Sequence, residues 1–83
     1  MELVTNETVQ SAVIQHQKGN LSEAEKLYKS ILQFRPSDAI ANHNLGLIAI
    51  QNNCCIEAIP LFERAILSKP NEEQFWVSYI EAL

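Results

Sequence analysis

Apolar residues recur along this chain at intervals of three and four positions, which is the spacing of one face of an α-helix. The clearest stretch predicts a helix ending near Phe34 and consists of Leu21, Ala24, Leu27, Tyr28, Ile31 and Leu32. Similar spacing predicts further helices, which run from about Asn6 to Lys18, between Asp38 and Asn52, from about Ile56 to Ser68, and from Glu72 to Leu83. The pattern therefore indicates an all-α fold of about five helices.

Residues suited to helix ends lie between these segments. The expected N-terminal caps are Thr5, Ser37 or Asp38, and two capping boxes, Ser22 with Glu25 and Asn71 with Gln74. Gly19 is expected to take the left-handed conformation that ends the first helix, and the pair Asn52-Asn53 marks the corresponding later turn. Pro60 is expected in the first turn of its helix, where the missing N–H loses at most one hydrogen bond.

The third and last helices depart from a simple one-faced pattern. The third is apolar on more than one side, which predicts a place between two neighbours, through Ile40, Leu45, Leu47, Ile48 and Ile50. In the last helix, the face expected to pack on the fourth helix consists of Trp76, Tyr79, Ile80 and Leu83. Phe75 and Val77 are expected to lie off that face.

Much of the chain repeats itself after 34 residues. Pro36 precedes Pro70 by this interval, and the same step joins Ala24 to Ala58, Tyr28 to Phe62, Ile31 to Ala65 and Leu32 to Ile66. Five coincidences at one offset indicate an internal repeat.

A 34-residue period with small, aromatic and small residues closed by a proline resembles the tetratricopeptide repeat, a helix-turn-helix unit. The second unit, residues 39–72, fits best, because Leu45-Gly46 stands where the family has its L-G pair. The first unit, residues 5–38, has Ser11-Ala12 at that place, which suits an atypical terminal repeat.

The resemblance extends to the end of the chain. Trp76 falls at the family's tryptophan position, so residues 73–83 resemble the first helix of a third unit. We therefore interpret residues 1–83 as a single domain, and as a piece of a longer protein.

The resemblance implies an α-solenoid of antiparallel helix pairs wound into a right-handed superhelix, with the first helices of the units lining a concave groove. Gly46 costs about 1 kcal/mol of helix propensity relative to Ala, and the family uses small residues at this position for close approach of the adjacent helix. The groove positions of the family correspond to Val9, Gln10, Val13, Gln17, His43, Asn44, Leu47, Ile50, Gln51, Val77, Ser78 and Glu81.

These candidate groove residues mix apolar with neutral polar side chains, which favours an amphipathic helix or extended peptide over a charged tail. Asn44 is the sharpest candidate, because an amide offers both a donor and an acceptor to a peptide backbone. The family's long superhelices use an asparagine ahead of the L-G pair in this way, whereas a solvated polar residue is the alternative interpretation. Of the positions that grip chaperone tails in some members, only Asn44 matches, so a chaperone-tail clamp is not expected.

Composition narrows the class of protein further. The chain has 83 residues, 47% of them hydrophobic and 19% charged, as in an ordinary folded domain. A net charge of -4 disfavours a nucleic-acid surface. Neither a secretory signal nor an apolar run of the roughly 20 residues that span a bilayer is evident. We therefore expect a cytoplasmic protein.

No catalytic, cofactor-binding or metal-binding site is expected. His16 and His43 are predicted to be polar residues beside the groove, and no phosphate loop, nucleophile elbow or metal-ligand spacing occurs. The adjacent Cys54 and Cys55 are expected to be reduced thiols, with Cys55 buried.

Two functions are compatible with this sequence. The first is a scaffold for protein–protein interaction that binds a partner's peptide or helix in the groove. The second is a regulatory or oligomerising arm of a larger enzyme, such as a bacterial glycosyltransferase, sulfotransferase or methyltransferase, in whose relatives similar repeats precede the enzyme domain. Self-association through the exposed last helix is a variant of the second.

Overall fold

The computed structural model describes residues 5–83, and that range is all-helical, without strands. Its five helices are α1 (Asn6–Gln17), α2 (Leu21–Phe34), α3 (Ala39–Gln51), α4 (Cys55–Ser68) and α5 (Glu73–Ala82). Each helix packs chiefly on its neighbours in the chain, and α3 also touches α1 and α5. The predicted number and order of helices are thus confirmed, and the contacts are compatible with a helical repeat. None of these helices combines the length and the apolar character that crossing a bilayer requires.

Short polar side chains begin two of the helices as predicted. Thr5 accepts a hydrogen bond from the backbone N–H of Thr8, and the Thr8 hydroxyl is paired in return with the backbone N–H of Thr5. Asp38 accepts from the backbone N–H of Ala41 at 2.9 Å and so caps α3. Each cap satisfies an N–H group that has no partner within its own helix.

The two predicted capping boxes are wrong. Leu21 N–H bonds to the carbonyl of Gly19 at 2.9 Å, so the chain turns early and Ser22 already lies inside α2. In the later turn, Glu72 N–H bonds to the carbonyl of Lys69 at 3.2 Å, which leaves Asn71 within the turn. Backbone turns therefore replace the expected side-chain caps at both places.

The 34-residue spacing has a structural counterpart. The bounds of α4 are those of α2 moved by 34 positions. Gly19 and Asn53, one period apart, have φ angles of +83° and +62°, which confirms the predicted left-handed turn residues. The C-terminal caps Arg35 and Lys69 share nearly the same backbone angles as well, with φ -132° and ψ 74° against φ -136° and ψ 80°. The backbone therefore repeats at the turns as well as along the helices.

Side chains on α3 and α5 secure the turns that contain the two repeat-closing prolines. Asn42 is fully buried and donates from Nδ2 to the carbonyl oxygens of Pro36 at 3.0 Å and Asp38 at 2.9 Å. One period later, Trp76 Nε1 donates to the carbonyl of Pro70 at 2.8 Å. Two different residues thus do the same work at equivalent positions.

The middle helix lies between neighbours, as its apolar pattern predicts. Gly46 on α3 faces the ring of Phe62 on α4 so closely that a Cβ atom at Gly46 would lie 2.5 Å from Cε1 of that ring. Both residues are buried, and the expected close approach is confirmed. Tyr28 and Phe62, the equivalent aromatic residues of the two hairpins, are each wholly inaccessible to solvent.

The predicted inward face of the last helix is wrong except at Tyr79, which packs against the core. Phe75 is buried, whereas Trp76, Ile80 and Leu83 are 43%, 65% and 74% exposed. Phe75 turns inward because it fits between Ala39, Ala65 and Ile66 and meets the ring of His43 on α3. One residue, or about 100° of helix rotation, separates the two aromatic residues, so choosing the other one as the anchor rotates the whole pattern.

The cysteines also differ from expectation. Both are free thiols, as predicted, but Cys55 is exposed and Cys54 is half-buried. Cys54 packs against the cluster of Ala49, Ala58 and Phe62, and so it takes the inward position that was expected for Cys55. Pro60 is exposed and is the sixth residue of α4, so it lies in the second turn and not in the predicted first turn, because the helix already begins at Cys55.

The Gly46–Phe62 contact generates a test of the packing. Gly46→Ala should lower the free energy of unfolding by about 1–3 kcal/mol through overpacking, although helix propensity alone favours Ala by about 1 kcal/mol. Urea denaturation measures the change. In a Phe62→Leu background the same substitution should cost less, because the ring atoms that Cβ meets are gone. An equal cost in both backgrounds would contradict the contact.

Candidate functional site

The candidate groove residues all lie on α1, α3 and α5, and their accessibility divides them into three sets. Val9, His43 and Ser78 are buried; Val13, Asn44, Leu47 and Ile50 are half-buried; Gln10, Gln17, Gln51, Val77 and Glu81 are exposed. The nine residues of the last two sets present surface that a partner could touch. The three buried ones support the helices from within.

A chain of hydrogen bonds joins α1, α2, α3 and α5. His16 Nδ1 lies 3.3 Å from the hydroxyl of Tyr28, which accepts from Asn44 Nδ2 at 3.1 Å. Asn44 Oδ1 lies 3.2 Å from His43 Nδ1, and His43 Nε2 lies 2.8 Å from the hydroxyl of Ser78. We refer to these five residues as the polar chain.

The amide of Asn44 fixes the direction of three of the four bonds in the polar chain, those from Ser78 to Tyr28. Its nitrogen donates to Tyr28, so its oxygen must accept from His43 Nδ1. Nε2 of the neutral His43 ring then accepts from Ser78, whereas the direction of the bond between Tyr28 and His16 depends on the tautomer of His16. The donors of these three bonds point the same way, an arrangement in which neighbouring bonds polarise and strengthen one another.

Tyr28 is the member of the polar chain that lies in the hydrophobic core. Burial raises the pKa of Tyr28 above its ordinary value of 10.0, and the hydrogen bond from Asn44 acts in the opposite direction. The ring of His16 stands edge-on to the Tyr28 ring, with 5.9 Å between the centroids. The hydroxyl therefore stays protonated at physiological pH and can serve as donor and acceptor at once.

His43 is held between two aromatic rings. Its centroid lies 4.6 Å from that of Phe75 on α5 and 5.6 Å from that of Phe62 on α4. Burial lowers the pKa of His43 below its ordinary value of 6.5, and the charge of His16 adds to this effect; the hydrogen bond with Asn44 and the charge of Glu72 oppose it. The neutral ring is thus the favoured form, and it attaches α5 to α3.

Asn44 keeps hydrogen-bonding capacity for a partner. The polar chain uses one N–H and one lone pair of its amide, whereas an asparagine side chain has two N–H groups and two lone pairs. The residue is half-buried, so part of its surface is open to solvent. Both remaining groups are held in place by the pairs that the polar chain already makes.

Sequence reasoning singled out Asn44 and expected both histidines beside the groove, whereas His43 is buried; it did not find the polar chain. One signal was present, because Tyr28 stands where the other unit has Phe62, and a buried tyrosine needs a partner for its hydroxyl. The pairing of His43 with Ser78 has no such local signal, since it depends on how α5 docks.

Within residues 5–83, no three His, Cys, Asp or Glu side chains are grouped so that they could hold a metal ion. No protein-family model matches this chain, and no curated protein or solved structure matches it either.

The buried His43 gives stability a defined pH dependence. Below about pH 6.5 the unfolded chain binds a proton that the folded chain resists, so stability should fall by at most about 1.4 kcal/mol per pH unit from this group until the lower folded pKa is reached. The stabilising effect is complete above the unfolded pKa. Denaturation of the wild type and His43→Gln should therefore show a penalty for the substitution that shrinks between about pH 7.5 and about pH 5. A penalty independent of pH would contradict the neutral, buried ring.

Proposed function

We propose that this chain is a tetratricopeptide-type module that binds a peptide or helix of another protein. Support comes from the period of 34 residues, which appears both in the sequence and in the bounds of α2 and α4. In the proposed arrangement the helix pairs are antiparallel and stack into a right-handed superhelix, and α1, α3 and α5 line its concave side.

The observation that carries the binding proposal is the state of Asn44. Hydrogen bonds on both sides hold its amide in one orientation, the residue is half-buried, and half of the amide's hydrogen-bonding capacity is not used by these bonds. A partner's peptide group has one N–H and one C=O, which match the free acceptor and donor of the amide. Holding the amide in advance lowers the entropy that binding must overcome.

The surface around Asn44 favours an uncharged partner face. Leu47 and Ile50 on α3 are half-buried apolar residues, and Gln10, Gln17 and Gln51 add neutral polar groups. An amphipathic helix or an extended peptide suits such a mixture. The role involves no chemistry, and two free thiols fit the reducing conditions of the cytoplasm, where we place the protein.

The binding proposal can be tested with peptides selected from a random library on the immobilised chain. Asn44→Ala should weaken the selected peptides by about fivefold, the equivalent of one hydrogen bond, and should lower stability by about 1 kcal/mol because the buried Tyr28 loses a donor. Calorimetric titration well below the melting temperature separates the two effects. Asn71→Ala, at an exposed asparagine outside the proposed groove, is the matched control and should change neither. Peptides that bind Asn44→Ala as tightly as the wild type would refute a groove centred on this residue.

A second candidate is an oligomerising arm of a larger enzyme. It is favoured by the apolar surface that α5 exposes, where Val77 is 38%, Ile80 65% and Leu83 74% accessible. Exposed apolar residues grouped on one element mark association sites more often than scattered ones do.

Sedimentation at several concentrations tests this second candidate. A dimer that forms through α5 should disappear in Ile80→Glu and persist in Ile56→Glu, which places the same charge at an 85% exposed residue of α4. Both sites are exposed, so neither substitution should change the free energy of unfolding by more than about 0.5 kcal/mol. A wild-type chain that stays monomeric, or a dimer that survives Ile80→Glu, would remove the candidate.

A further inference from the structure

A cleft of about 340 Å³ lies between α2 and α4, away from the residues of the candidate groove. Its floor comes from α3, through Leu45, Ile48 and Ala49, and Leu61 of α4 adds an apolar wall. The two bordering helices both pack on α3, and their backbones stay apart from each other. The cleft is therefore an open seam between successive hairpins with an apolar base.

The rim of this cleft is charged, and the charges are separated by sign. Glu25 and Lys29 line it from α2, and Glu57 and Arg64 line it from α4. The short connections 35–38 and 52–54 bring the end of α2 and the start of α4 to opposite ends of α3, so α2 and α4 run in the same direction along it. Both glutamates lie nearer the starts of their helices than the bases do. One end of the cleft is thus acidic and the other basic.

These rim charges are available to a partner. Arg64 and Glu57 are exposed, and within α2 the pair Glu25–Lys29 is a surface ion pair with 3.6 Å between Oε1 and Nζ. Surface pairs of this kind contribute little to stability, so a partner can replace them at small cost. The separation of Glu57 from Arg64 is seven positions, or roughly 10 Å along the helix axis.

We propose that this cleft docks a short amphipathic helix of another protein that carries a basic residue and an acidic residue two turns apart with apolar residues between them. The charge pattern of the rim argues for this occupant, because its base would meet Glu25 and Glu57 and its acid would meet Lys29 and Arg64. A whole helix, about 10 Å wide, is too large for the volume. The partner therefore lies along the rim and inserts only its apolar side chains.

The probe is a peptide of about 16 residues, rich in Ala and Gln, that carries Lys, Leu, Leu and Glu at positions i, i+3, i+4 and i+7 of one helix face. Two matched peptides carry Lys at both outer positions or Glu at both, so neither can satisfy both ends of the cleft in either direction. Calorimetric titration should show the mixed-charge peptide binding about fivefold more tightly than either control. Equal binding of the three peptides would overturn the proposal.

Variants of the rim complete the test. Arg64→Glu should weaken the mixed-charge peptide by about fivefold and strengthen the peptide with two lysines, and because Arg64 is exposed the fold should be kept. Asn44→Ala should leave binding of the mixed-charge peptide unchanged, which separates this cleft from the proposed groove. Loss of binding in Asn44→Ala, or none in Arg64→Glu, would overturn the assignment.

A second copy of the chain is the other conceivable occupant. Sedimentation of the free chain distinguishes it: self-association that Arg64→Glu abolishes, together with no binding of the mixed-charge peptide, would assign the cleft to a copy and refute a heterologous helix. A monomeric chain that binds the mixed-charge peptide supports the proposal.

Discussion

The packing of one aromatic ring against a helix position that has no side chain sets the geometry of this molecule. Phe62 occupies the space that a Cβ at Gly46 would need, so α3 and α4 approach to the distance that only glycine permits. In the first hairpin Ala12 takes the place of Gly46 and Tyr28 that of Phe62, and both are fully buried. The two hairpins therefore share one design, in which a small residue receives a ring from the following helix.

The difference between those two rings gives the structure its polar interior. A buried phenylalanine needs no hydrogen-bond partner, whereas the hydroxyl of Tyr28 must be hydrogen-bonded when it is buried. Asn44 and His16 are hydrogen-bonded to this hydroxyl, and the Asn44 amide is hydrogen-bonded in turn to His43. Through these hydrogen bonds, the Tyr28 hydroxyl links the core of one hairpin to the docking of α5. The same connection fixes the side chain that we propose for binding a peptide.

Sequence reasoning succeeded where the cause is local and failed where it is tertiary. Thr5, Asp38 and Gly19 were identified correctly because a cap or a left-handed turn depends on neighbouring residues. The inward face of α5 could not be found in this way, because Trp76 and Phe75 both offer a ring. Phe75 is the inward residue because its ring packs against the ring of His43 on α3. The groove and its partner stay predictions, since accessibility shows which candidates are reachable and not what they bind.

The hydrogen bond from Trp76 to Pro70 has a practical consequence for observing this protein. The chain contains a single tryptophan, and its indole is both partly exposed and tied to the turn between α4 and α5. Its emission therefore reports on one joint instead of averaging over the molecule. Detachment of α5 can be followed by fluorescence separately from the melting of all helices, which circular dichroism records. The fold carries its own optical probe at the joint where the last helix docks.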